Sequence, residues 1–213
     1  MDGQRGLATE EIGQRYDDLA PSYDRIDRLF EATIVGRLRR LFEQAHGELL
    51  EVAIGTGKNL PYYPSDCRVT GVDVSAGMLA QARRRAATLG IDPTLAVMDA
   101  ERLEFPDASF DTVTSSLTTC TFVDPLAALR EMGRVCRLGG RILLLEHGRS
   151  SNRALGWVQD VAAERHARAC GCHWNREPQD LVRQAGLEII EARRKLFGVY
   201  HTIVAAPAPR REA

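Results

Sequence analysis

From residue 48 onward the chain alternates short apolar runs with stretches of helical periodicity. Such alternation predicts a parallel sheet covered by helices. The apolar runs Glu48–Ala53, Arg68–Val72, Leu95–Met98, Phe110–Thr114 and Arg141–Leu145 are read as five strands. Helical patterns fall near 75–88 and 125–136, and Gly139-Gly140 is read as the turn into the fifth strand. Further helices are expected at 153–169 and 178–185, the latter closed by Gly186. Leu187–Lys195 and Tyr200–Ala206 then fold back as an antiparallel hairpin around Phe197-Gly198. Before the first strand, 8–20 and 24–45 read as two helices. The second carries Ile26, Leu29, Phe30, Ile34, Leu38, Leu41 and Phe42 on one face, with Arg25, Arg28, Arg37, Arg39 and Arg40 elsewhere.

These elements predict an α/β chain with a Rossmann-like, doubly wound, seven-stranded sheet and one antiparallel edge strand. Residues 1–45 form N-terminal cap helices and 46–207 the core. Within the core, 147–178 is an insert expected to act as a substrate lid, and 208–213 is a loose tail. In such sheets ligands bind at the C-terminal strand ends, so the loops after the first five strands carry the information.

Composition narrows the picture. The chain has 213 residues, 44% hydrophobic and 27% charged, which suits one globular domain. A formal net charge of −1 gives no electrostatic reason to expect a nucleic-acid partner. No apolar run reaches membrane-spanning length, and the first residues lack a signal core. Five irregularly spaced cysteines fit reduced thiols, so a cytoplasmic protein is expected. The basic, amphipathic 25–42 segment has the look of a peripheral membrane contact, but packing of its apolar face on the sheet, with solvated arginines, is the favoured reading.

The first strand runs into Glu51-Val52-Ala53-Ile54-Gly55-Thr56-Gly57-Lys58-Asn59. Glycines there let backbone approach a ligand, although a tight turn alone explains them equally well. Asp73 follows Glu51 by 22 residues, at the end of the second strand, where a carboxylate accepts ribose hydroxyls. Asp99-Ala100 follows the third strand, within reach of an adenine amino group. Glu51 is placed to meet an ammonium group. The third glycine of a dinucleotide fingerprint falls at Leu60, so no pyrophosphate cradle is expected. The implied ligand is a nucleoside carrying a charged amino acid, S-adenosyl-L-methionine.

On these residues the chain resembles the class I methyltransferases. LLEVAIGTGKN (49–59) is similar to their first motif, with Ala53 in place of a glycine, and VTGVDVSAGMLAQAR (69–83) to their second. MDAERLEFPDASFDTV (98–113) and LREMGRVCRLGGRILLLEHG (129–148) resemble the segments that follow. The nearest likeness is to ubiquinone/menaquinone C-methyltransferases. Within that group it is to a branch of phosphatidylethanolamine N-methyltransferases and small-thiol S-methyltransferases, through LEVAIGTGKNLPYYP, SLTTCTFVDP, Glu146-His147 and Gly171-Cys172-His173-Trp174-Asn175-Arg176. The resemblance implies cofactor contacts at Glu51, Gly55, Thr56, Gly57, Asp73, Met78, Asp99, Ala100 and Ser116.

Methyl transfer from a sulfonium is an in-line displacement that asks mainly for positioning. His147, at the rim after strand five, is the expected base or substrate contact. Tyr23, with Tyr16 nearby, is expected to close the site over the cofactor, against the plainer reading that both pack the helix. Cys170-Gly171-Cys172-His173, with His166 upstream, matches no standard zinc spacing, so no metal is expected. Cys120 is read as a small buried hydrophobe. Three functions remain open at this point: a methyltransferase for a small-molecule thiol, amine or hydroxyl; one for a lipid amine or quinone precursor at a membrane surface; and a non-catalytic S-adenosylmethionine-binding protein.

Overall fold

The computed structural model describes residues 8–30 and 35–208. Seven strands form one sheet in the order β3-β2-β1-β4-β5-β7-β6. They are β1 (Glu48–Val52), β2 (Arg68–Asp73), β3 (Thr94–Val97), β4 (Phe110–Ser116), β5 (Cys136–His147), β6 (Leu187–Lys195) and β7 (Tyr200–Pro207). The first five pair in parallel. β7 runs antiparallel to both β5 and β6, so the reversed strand sits one in from the edge that β6 forms. The helices are α1 (Thr9–Phe30), the short α2 (Gly36–Leu38), α3 (Ala76–Leu89), α4 (Pro125–Val135), α5 (Arg153–Cys170) and α6 (Pro178–Gln184).

Strand side chains alternate between two helical layers. Ile142 and Leu144 of β5 enter a core with Leu129, Met132 and Val135 of α4 and Val182 of α6. Leu143 and Leu145 enter the opposite core with Phe42 and with Leu79 of α3. The double glycine is not a turn before β5 but a bulge inside it. Cys136 pairs with Phe110 and Arg141 with Thr112, leaving extra β5 residues between. Gly139 takes φ +86°, and a side chain at Gly140 would strike the Asp111 carbonyl at 2.7 Å.

The N-terminus departs from the expected two helices split near residue 21. α1 continues through Pro21, although proline removes one backbone donor. Carboxylates on both sides of it hold the helix to the core. Asp17 accepts hydrogen bonds from the Ser75 hydroxyl (2.6 Å) and the Gly77 amide (2.7 Å) at the start of α3. Asp24 accepts from Arg85 (2.6 Å) and the Thr56 hydroxyl (2.8 Å). The expected 24–45 helix is interrupted: α2 leads into a 3₁₀ turn, Arg39–Gln44. Phe42 is buried and Leu38 and Leu41 pack on the core, as expected for that face, and Val35, not expected there, is buried as well. Ile34 lies outside the described residues, as do the side chains of Ile26, Arg28, Leu29 and Phe30. The tail from 209 lies outside them too. Among the described residues, no helix is long and apolar enough to cross a membrane.

Candidate active site

β1 ends in a turn built from left-handed residues. Ala53, Gly55 and Gly57 take φ of 53°, 56° and 76°. The turn is tied down by the Ile54 amide on the Val72 carbonyl (3.0 Å) and the Gly55 amide on Asp73 Oδ2 (2.8 Å). A side chain at Gly55 would meet nothing within 4 Å, so the backbone there faces open space. Gly57 serves differently: its added carbon would sit 3.3 Å from Ala82 and closer still to Leu60. Leu60 is fully buried and opens a 3₁₀ turn, Leu60–Tyr62, so no long helix points its amides at a ligand from this loop.

The C-terminal strand ends border an open cleft, where ligands of such sheets bind. Eight of the nine expected cofactor residues line it: Glu51, Gly55, Thr56, Asp73, Met78, Asp99, Ala100 and Ser116. Gly57 stands behind the turn, outside the lining. Tyr23 also lines the cleft, whereas His147 does not. Ala53 lines it too, in a left-handed conformation that suits the glycine it replaces.

Two buried carboxylates define the electrostatics. Glu51 is 1% exposed; Asn59 donates to its Oε1 at 2.6 Å, while Oε2 has no partner. Burial pushes its carboxyl up to about 7, against hydrogen bonds from Tyr63 and Asn59 and the nearby Arg39 charge. Asp73 accepts the Gly55 amide and the Ser75 amide (2.9 Å), and burial raises it to about 6. An orphaned carboxylate oxygen beside a glycine-lined opening fits a ligand with an ammonium group. Asp73 keeps free lone pairs for hydroxyls. The residues present therefore fit S-adenosylmethionine.

Arg39 and Asn59 are site residues that sequence reasoning missed. Arg39 is 3% exposed, not solvated as expected, and donates to Asn59 and to the Ser116 hydroxyl (3.0 Å). Asn59 also donates to Ser116 at 3.0 Å. Asn59 stands two residues after Gly57, a detectable signal. Arg39 sits in an arginine-rich run where nothing marks it out.

The cleft continues between α1 and the loop after β4, past Tyr16, Thr121 and Phe122. Tyr16 and Tyr23 stack at a tilt, ring centroids 6.3 Å apart, and the Lys58 ammonium lies 4.8 Å over the Tyr23 ring. Burial and then Tyr23 push the Tyr16 phenol well above its usual value. The loop is anchored from below by Glu146, which is fully buried and accepts the Thr118 amide (3.1 Å) and the Thr119 amide (3.3 Å). Burial raises Glu146 to about 7.

His147 turns away from the cleft, and its Nε2 lies 3.5 Å from Cys172 Sγ. Burial alone would lower the imidazole, but the Cys172 contact outweighs it and the net shift is upward. The Cys172 thiol is held below its ordinary value, first by a hydrogen bond from Cys120 and then by His147. Cys120 is buried, as expected; its Sγ donates to the Leu117 carbonyl (3.7 Å), and a second thiol, Cys172, lies beside it. Among the described residues Cys67, Cys120, Cys136 and Cys172 are free.

Known proteins agree with this geometry. Residues 50–144, which hold the glycine turn and both buried carboxylates, match a family described as methyltransferase domain. The chain is 36% identical over 147 residues to a phosphatidylethanolamine N-methyltransferase of Cereibacter sphaeroides, covering 68% of this chain and 72% of that one. It is 35% identical over 158 residues to a demethylmenaquinone methyltransferase of Thermus thermophilus, covering 70% and 72%. A solved structure from Bacillus halodurans, described as a candidate methyltransferase, superposes with a TM-score of 0.64 at 24% identity, covering 76% and 71%. A cleft fitted to S-adenosylmethionine and these likenesses lead to one conclusion: the chain belongs to the S-adenosylmethionine-dependent methyltransferases.

Proposed function

We propose that this methyltransferase acts in the cytoplasm on a small-molecule acceptor, a thiol, amine or hydroxyl, seated between α1 and the loop after β4. The observation that carries this is the continuity of one cleft from Glu51 and Asp73 to Tyr16 and Phe122. S-adenosylmethionine, when bound, supplies a methyl group activated by the sulfonium. Glu51, Asp73 and Asp99 hold it, and Tyr23 with Lys58 closes the entrance. Tyr16 and Phe122 keep water from the acceptor, which favours displacement over hydrolysis. Among the described residues, none of 147–178 lines the cleft. That segment acts on the loop from behind, through Arg176 on the Phe122 carbonyl (2.9 Å) and the His173 amide on the Cys120 carbonyl (2.8 Å). The test is S-adenosylhomocysteine formation with an alkyl thiol, an aryl thiol, a phenol, phosphatidylethanolamine vesicles and a demethylmenaquinone analogue. Turnover on a soluble acceptor above the acceptor-free control supports the reading. Turnover on vesicles alone replaces it.

A second reading, methyl transfer to a lipid amine or quinone precursor at a membrane surface, draws on α5. Leu155, Trp157, Val158 and Val161 are 46–67% exposed at helical spacing, an unusual apolar stripe. The names of the two relatives fit it. Co-sedimentation with anionic vesicles that is lost in Trp157→Ala supports this reading, and its absence in the parent removes it.

A further inference from the structure

We infer that Cys120, His147 and Cys172 form a binding site for a zinc-class cation, completed by His166. The three donor atoms all lie within 4.8 Å of one another. They come from three separate places: the loop after β4, the end of β5, and the turn that follows α5. In a tetrahedral site with bonds of roughly 2.3 Å to sulfur and 2.0–2.1 Å to nitrogen, a sulfur–nitrogen edge is about 3.6 Å. The His147–Cys172 separation is 3.5 Å. The protein thus already holds these two donors one tetrahedral edge apart. His166 lies near enough to act on the same Cys172 sulfur, and its ring is stacked on Trp174 at a centroid distance of 4.1 Å. Rotation of that ring supplies the fourth ligand.

Two thiols and two imidazoles are a soft donor set that selects zinc over magnesium or calcium. Binding forms two zinc–thiolate and two zinc–imidazole bonds and releases two protons to solvent, one from the Cys120 thiol and one from the Cys172–His147 pair. Four protein ligands make a closed site, hence a structural one. Its consequence is mechanical. The metal ties α5 and the turn after it to the loop whose Thr121 and Phe122 border the cleft. The site stands apart from the cofactor residues, so it does not depend on the methyl-transfer reading.

The experiment is elemental analysis of protein purified under reduction and without metal-affinity resin, followed by cobalt titration of the metal-stripped chain. About one equivalent of zinc per chain is expected. Cobalt should give a thiolate charge-transfer band and the visible bands of tetrahedral coordination. Cys120→Ser and Cys172→Ser should each weaken zinc binding by about a hundredfold or more. His166→Gln should alter the visible cobalt bands, and Cys136→Ser, at the start of β5, should change nothing. If a cysteine variant does not fold, the cobalt spectrum of the parent decides alone. The inference is overturned if the folded, reduced parent takes up neither metal. It is also overturned if Cys172→Ser binds as the parent does, or if Cys120 and Cys172 pair as a disulfide in a protein that takes up no metal.

Discussion

The two ends of the cleft are built in different ways. The cofactor end is mostly local: Glu51 near the end of β1 and Ala53, Gly55 and Asn59 in the turn after it are close in the chain, and Asp73 closes the neighbouring strand one hydrogen bond away. The acceptor end is assembled at long range. Its loop hangs on Glu146, Arg176 and the Cys120–His147–Cys172 cluster, whose members are tens of residues apart in the chain. A local site advertises itself through residue spacing, whereas an assembled one does so only after folding.

The contrast is testable, beginning with the largest effect. Asp73→Ala strips the acceptor from the Gly55 and Ser75 amides as well as from the ligand. Cofactor affinity measured by calorimetry should fall about a hundredfold, with loss of thermal stability. A small change would mean that the cofactor end is not organised by this carboxylate.

A pH effect comes next. Glu51 and Glu146 both stand near 7, above their ordinary value of 4.5. The folded, cofactor-free protein therefore holds protons that the unfolded chain releases. This stability is present below about pH 4.5 and is lost as the pH rises through 7. The thermal midpoint of the cofactor-free protein should be lower at pH 8 than at pH 6, and Glu51→Gln should reduce that difference.

Ala53→Gly should stabilise the protein by about 1 kcal/mol, because a left-handed alanine costs roughly 1–2 kcal/mol, less the chain entropy that glycine adds. Thermal unfolding measures it. Smallest should be the effect of His147→Ala on chemistry. The ring faces Cys172 and not the cleft, so the pH profile of turnover from 6 to 9 should keep its shape while thermal stability falls. A lost acid limb, with turnover no longer falling toward pH 6, would restore His147 as the base.

Legibility in the sequence follows the same division. The sheet was readable from Leu49 to Val204 because both its layers are filled by regular alternation. The cofactor residues were readable because strand ends and glycines punctuate the chain. α1 was not, since Pro21 reads as a break and only tertiary carboxylate contacts keep the helix whole. Arg39 looked like its solvated neighbours, because a buried network leaves no mark on composition. Cys172 was weighed against its sequence neighbours, while its partners in space are Cys120 and His147.

The central claim is that Glu51 meets the charged amino-acid end of S-adenosylmethionine. It is tested most directly by cofactor affinity measured from pH 8 to pH 6 in the parent and in Glu51→Gln. With the carboxyl near 7, affinity in the parent should fall about tenfold across that range as Glu51 protonates. Glu51→Gln should bind more weakly at pH 8 and keep only the shallow slope left by Asp73. Equal affinity in the two proteins, or the same slope in both, would contradict the account.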